Sequence, residues 1–274
     1  MRAFAAPHGR VLSRDVAVVL TIAILVAAIG NALVTIPPLL EQGIVGGDFR
    51  IYHDAAARWL STGAFYEPYQ LSGAYAISPG DVLYPPTILY LLVPFLVLPA
   101  ILWWAVPLTI IAAVVLRFRP APWAWPLIAL AVWWPRDQGL LLLGNPGMWV
   151  GAAIAAGFVR GWPAALVVLK PSLAPFAVVG IGTRRWWHAM AVLAVCSVPL
   201  VGLWLQYAAV LQNSDGTIGY SLLELPFMLI PVVAWAARTN EVRSPRPWVT
   251  IPRRLDLRVR APDLVPVAVS SRSA

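Results

Sequence analysis

Apolar residues in this chain come in long runs, broken by short polar stretches that carry most of the charge. Each run is close to the roughly 20 residues that cross about 30 Å of hydrocarbon as a helix. The pattern predicts eight membrane segments, at about 16–36, 84–98, 100–116, 120–135, 140–158, 162–182, 186–205 and 220–237. The second and third share Pro99 and also read as one bent element. The first run is longer than the apolar region of a signal peptide and no cleavage pattern follows it, so it reads as a retained anchor.

Between the first two runs lies the one stretch with soluble-like organisation. Phe49, Tyr52, His53, Ala56, Trp59 and Leu60 recur at helical spacing after Gly46-Gly47 and before Gly63. They predict an amphipathic helix on the membrane surface, with Asp48 at its N-cap and Gly63 just past its end. The domain plan that follows is a cytoplasmic N-terminus (1–15), a helical bundle (16–237) with an outer loop at 37–83, and a basic tail (238–274). The tail is rich in Arg, Pro and Ser without an apolar period, so it is expected to be disordered and cytoplasmic.

Composition sharpens this reading. The 274 residues are 60% hydrophobic and 12% charged, about half the charge of a soluble domain, near 25%. The net charge of +8 is explained by a positive-inside bias without invoking nucleic acid. With the N-terminus inside, the inner segments hold Arg2, Arg10, Arg14, Arg136, Arg184, Arg185 and the eight arginines from Arg238 onward. The outer loops hold Arg50, Arg58, Arg117, Arg119 and Arg160. The lone Cys196 builds no disulfide framework, no metal site is apparent, with His8, His53 and His188 in separate regions of the chain, and no cofactor is implied. Gly144-Asn145-Pro146-Gly147 lacks the Lys-Ser/Thr of a phosphate loop.

Two residues carry chemistry. Five of the twelve acids (Glu41, Asp48, Asp54, Glu67, Asp81) fall in the outer loop. Among them Asp48 reads either as a helix cap or as a general base for an incoming hydroxyl. Lys170, the only lysine, lies within an apolar segment, where a cation costs roughly 2.5–3.5 kcal/mol. It reads either as the cation of an intramembrane anion site or as a side chain snorkelling to the interface. Arg50 and His53 join such a site if the surface helix folds back over the bundle.

Gly47-Asp48-Phe49-Arg50-Ile51-Tyr52, then Tyr66, Tyr84-Pro85-Pro86 and Pro94…Leu98-Pro99, resemble the first half of family 87 glycosyltransferases. Gly144-Asn145-Pro146-Gly147, Leu169-Lys170-Pro171 and Arg184-Arg185-Trp186 look like later landmarks of that family. The resemblance runs from about residue 15 to 205, and members are usually longer, with further helices after this point. It implies an all-α polytopic membrane bundle of the GT-C class in the cell membrane, its active site on the outer face. It implies a polyprenyl-phosphate sugar as donor, mannose or arabinofuranose, and an envelope glycolipid or glycan as acceptor. Asp48 would be the catalytic base, Lys170 with Arg50 or His53 would hold the donor phosphate, and Tyr52, Tyr84 and Asn145 would line the substrate site. A polyprenyl-phosphate binder or flippase, or a non-catalytic scaffold, stands as the alternative.

Overall fold

The computed structural model describes residues 12–78, 80–215 and 223–239; the expected basic tail lies almost wholly outside them. In chain order come α1 (Arg14–Glu41), α2 (Gly47–Thr62), the one-turn α3 (Pro68–Leu71), β1 (Tyr75–Ala76) and the short α4 (Leu89–Leu92) between 3₁₀ turns. They are followed by α5 (Ile101–Phe118), α6 (Ala124–Trp133), α7 (Pro135–Leu143) and α8 (Gly147–Arg160). Two 3₁₀ segments (Trp162–Leu169, Pro171–Gly180), α9 (Arg184–Ser197), α10 (Val201–Asn213), β2 (Ser214–Asp215) and α11 (Leu225–Ala236) complete the chain.

Among the described residues, three helical stretches are long and apolar enough to cross a membrane: Arg14–Glu41, Ile101–Phe118 and Arg184–Asn213. A fourth crossing is possible in length and composition if α7 and α8, bent by 104° at Asn145, act as one span. The eight-span expectation is corrected where proline and charge interrupt the runs. The 84–98 segment is a short bent element, broken around Pro86 and Pro94. The 162–182 segment is a hairpin, because Lys170 takes an extended backbone and Pro171 follows it. At the hairpin's base the limbs come together so tightly that a Cβ on Gly180 would collide with the Gly161 carbonyl. Its first limb packs closely on α8, where a Cβ on Gly157 would meet that of Ala164 at 2.7 Å. Small residues at such crossings let backbones approach where lipid supplies no hydrophobic drive.

Aromatic contacts and hydrogen bonds define two ends of the bundle. At one, Phe118 packs edge-on to Phe158, Phe158 stacks on Trp235, and the Ala121 N–H donates to the Ala237 carbonyl. Arg14 lines a groove there with Pro122 and Trp125. At the other, the indole N–H groups of Trp103 and Trp104 donate to the carbonyls of Gly144 and Leu141, both at 2.7 Å. The Gly46 N–H donates to the Leu142 carbonyl at 2.8 Å.

This arrangement corrects the expected arginine sides. Arg117, Arg119 and Arg160 share the first end with Arg14, Arg184, Arg185 and Arg238, whereas Arg136 lies at the second, with Asp48. The reason is that α6 runs alongside α1 in the same direction. Its start faces Arg14 and Val18, and just past its end Gln138 accepts from the Asn31 side chain at 3.0 Å. Of the nine described acids, all but Asp15 sit at the second end, so the two ends carry opposite charge.

Candidate functional site

α2 packs against the bundle through Tyr52, Ala55 and Ala56, all buried, while Phe49 inserts between Trp103 and Trp104, 5.4 Å from each ring. Gly46 (φ 76°) and Gly63 (φ 79°) bound the helix in left-handed conformations. The expected Gly63 stop is therefore present, but the N-cap is Gly46, not Asp48, and no side chain caps the helix. Asp48 sits one residue into the first turn with its carboxylate free to point elsewhere.

It points at Asn145. The Asn145 side-chain amide donates to Asp48 Oδ2 at 2.6 Å. The Asn145 oxygen accepts from the Gly147 N–H at 2.8 Å and from the Tyr84 hydroxyl at 3.3 Å. These three contacts fix the amide's orientation and aim its N–H donors at the carboxylate. The sharp turn between α7 and α8 makes this possible: Gly144 takes φ 73° with Trp104 packed so close that a Cβ would lie 2.6 Å from its ring. Tyr52 meets Tyr84 edge-on at 5.2 Å, and the Tyr84 ring lies 5.6 Å from Lys170 Nζ. Of the residues singled out in the sequence, Asp48, Tyr52, Tyr84, Asn145 and Lys170 thus converge from α2, the loop before α4, the α7–α8 turn and the hairpin tip.

Three of them, Asp48, Tyr52 and Asn145, line a cavity of about 520 Å³ together with Asp81, Asp215, Glu224 and Arg136, while Tyr84 and Lys170 lie behind its wall. Burial raises the Asp48 carboxyl above 3.8; the Asn145 hydrogen bond opposes this, Glu224 adds to it, and Lys170 and Arg136 oppose it more weakly. Asp81 is tied down at the mouth, accepting from the Tyr69 hydroxyl and, at 2.7 Å, from the Ser78 N–H. The parallel pairing of Tyr75 with Ser214 and Ala76 with Asp215 joins the outer loop to the end of α10, and so closes the cavity on that side.

Lys170 is not an open cation site. Its ammonium lies 2.5 Å from Glu224 Oε2, with side chains only 4% and 2% exposed. Bringing either charge into the interior alone would be prohibitive, and the pair answers the cost that the sequence flagged. Snorkelling is excluded by the same contact. Beside it, Asp137 is fully buried with neither carboxylate oxygen hydrogen-bonded among the described residues, facing the backbone at Phe227 where α11 begins.

Arg50 and His53 are not brought to the site. The Arg50 guanidinium donates to the carbonyls of Gly43 and, at 2.8 Å, Val45, closing the loop that enters α2. His53 is turned toward Asp54, 3.3 Å away and largely exposed. Glu224, Asp215, Asp81 and Arg136 were not anticipated as site residues. Glu224 had one signal, being an acid at the head of an apolar run facing a lone lysine in another. Arg136 had none, since the Trp-Pro-Arg stretch reads as an ordinary loop.

Among the described residues, no three of His, Cys, Asp and Glu gather as metal ligands. A second, mainly apolar cavity of about 270 Å³ is bounded by Tyr90, Leu91, Trp149, Val150, Leu166, Leu169 and Leu193, with Thr87 also on its wall. It reaches Pro146 and Leu169, the chain neighbours of Asn145 and Lys170. No family model, curated protein or solved structure matches this chain.

Proposed function

We propose that this protein is a membrane glycosyltransferase that moves a sugar from a polyprenyl-phosphate donor to an acceptor hydroxyl, with Asp48 as general base. The observation that carries the reading is the Asp48 carboxylate on the wall of the cavity, oriented by Asn145 at 2.6 Å rather than spent on a helix cap. A base must keep an oxygen free, and burial brings its proton affinity closer to that of its task. The apolar cavity alongside supports a donor whose leaving group is a lipid, since an isoprenoid chain needs a dry lateral path to a polar site.

The reaction runs in one displacement. The acceptor oxygen attacks the anomeric carbon while its proton passes to Asp48. The bond from that carbon to the phosphate oxygen breaks with its electron pair, and polyprenyl phosphate leaves from the opposite face, which inverts the centre. Asn145 holds the carboxylate in line, and Tyr52 and Tyr84 shape the adjacent wall. The segregated charge supports an orientation with the arginine end in the cytoplasm and the carboxylate end on the outer face.

One observation favours a second reading. The buried Lys170–Glu224 pair beside an apolar groove also suits a protein that binds a polyprenyl phosphate without transferring its sugar. Sugar transfer by the purified protein in lipid, with polyprenyl-phosphate mannose and polyprenyl-phosphate arabinose offered to envelope glycolipids, separates the two. Transfer supports the enzyme; donor binding without transfer supports the binder.

A further inference from the structure

We propose that Arg136 binds the phosphate of the lipid-linked donor, in the place that sequence reasoning gave to Lys170, Arg50 and His53; this rests on the reading of the cavity as a polyprenyl-phosphate sugar site. Lys170 is held by Glu224 at 2.5 Å in an environment that excludes water, and taking it away would strand a buried carboxylate. Arg50 is committed to two backbone carbonyls on the far side of α2, and His53 faces outward.

Arg136 differs on each count. It lines the same cavity as Asp48, is exposed there, and makes no ion pair with any described residue. It is also the only Lys or Arg among the residues that line that cavity.

The acids around the cavity make this single guanidinium decisive. Glu224 is neutralised by Lys170, but Asp48, Asp81 and Asp215 leave the lining with an excess of negative charge. An anionic group is repelled everywhere except against Arg136. A guanidinium also offers a planar fork of donors that matches two phosphate oxygens at once. Arg136 is near enough to Asp48 for its charge to favour the ionised carboxylate, so a phosphate on Arg136 sits within the same cavity as the base. An in-line displacement requires the anomeric carbon between the base and the departing phosphate, and a cavity that holds Asp48 and Arg136 on its wall has room for that order.

The test is equilibrium binding of radiolabelled farnesyl phosphate, with farnesol as the uncharged control, to the full chain in phosphatidylcholine nanodiscs. The wild type should prefer the phosphate over the alcohol by about tenfold or more. Arg136→Gln should remove that preference while farnesol binding is unchanged, Arg136→Lys should retain part of it, and Asp48→Asn, which takes away one repelling carboxylate, should retain or increase it. Because Arg136 is exposed and unpaired, its variants should fold as the wild type does, and the retained farnesol binding verifies this. A wild type without the preference, or an Arg136→Gln variant that keeps it, overturns the assignment. A protein that shows the preference and its loss in Arg136→Gln but transfers no sugar overturns the transferase reading and leaves Arg136 as the phosphate ligand.

Discussion

The side-chain amide of Asn145 donates to the Asp48 carboxylate across 97 residues of sequence while its oxygen is held by the Gly147 N–H. One residue therefore couples the first turn of α2 to the turn between α7 and α8, and the reactivity of Asp48 depends on both. Asn145→Ala removes a hydrogen bond to a charged group, worth about 1.5–3 kcal/mol. Sugar transfer should fall by roughly 10–100-fold, with donor binding changed little, as measured by kcat and donor Kd side by side.

The pH dependence follows from the direction of the Asp48 shift. Burial raises its carboxyl above 3.8, so the base is lost as pH falls through a value above that of an exposed aspartate. The acid limb of the kcat/KM profile should lie there, and Asn145→Ala should move it higher, because the bond that favours the ionised form is gone. For stability the sign is the reverse of that for an ion-paired aspartate, whose carboxyl is held below its ordinary value. The folded state holds its proton more tightly than the unfolded, so stability contributed at low pH is lost as pH rises from the unfolded to the folded value. Asp48→Asn should abolish this contribution and be at least as stable as the wild type at neutral pH, measured by thermal unfolding in detergent across pH.

Breaking the Lys170–Glu224 pair from one side leaves a buried, uncompensated charge. Lys170→Met should cost about 3–5 kcal/mol, whereas the double change Lys170→Met with Glu224→Gln should recover most of it. Thermal unfolding of the two single variants and the double variant forms the cycle, and additive losses would show that the two residues do not stabilise one another.

Asp137 gives the opposite prediction. Its oxygens are buried and without hydrogen bonds among the described residues, near a second carboxylate on Glu224. Asp137→Asn keeps the shape and removes the charge, and should raise stability by about 1–2 kcal/mol. A fall in stability would mean that the carboxylate is engaged after all.

The helical character of the chain, the start of α1 and the boundaries of α2 and α5 were legible in its sequence, because apolar length, and for α2 the flanking glycines, dictate them directly; α1 runs on through Pro37-Pro38 to Glu41, past its expected end at about 36. The path of the later segments was not legible. Composition reads 162–182 as one apolar run, but Lys170-Pro171 at its centre turns it back on itself. The proline marks a break, but the direction of the return and the partner of Lys170, 54 positions away, have no local signature. The site was legible in part: Asp48, Tyr52, Tyr84, Asn145 and Lys170 do meet. Their partners Glu224 and Arg136 come together through helix packing, and the wrong side for Arg136 followed from reading α6 as a span opposed in direction to the one it has.

The most direct test compares sugar transfer by the wild type and Asp48→Asn, purified in lipid, with polyprenyl-phosphate mannose or arabinose as donor and envelope glycolipids as acceptor. The account predicts transfer by the wild type and a loss of at least about 10³-fold in the variant, with donor binding intact. Transfer that persists in Asp48→Asn would contradict it.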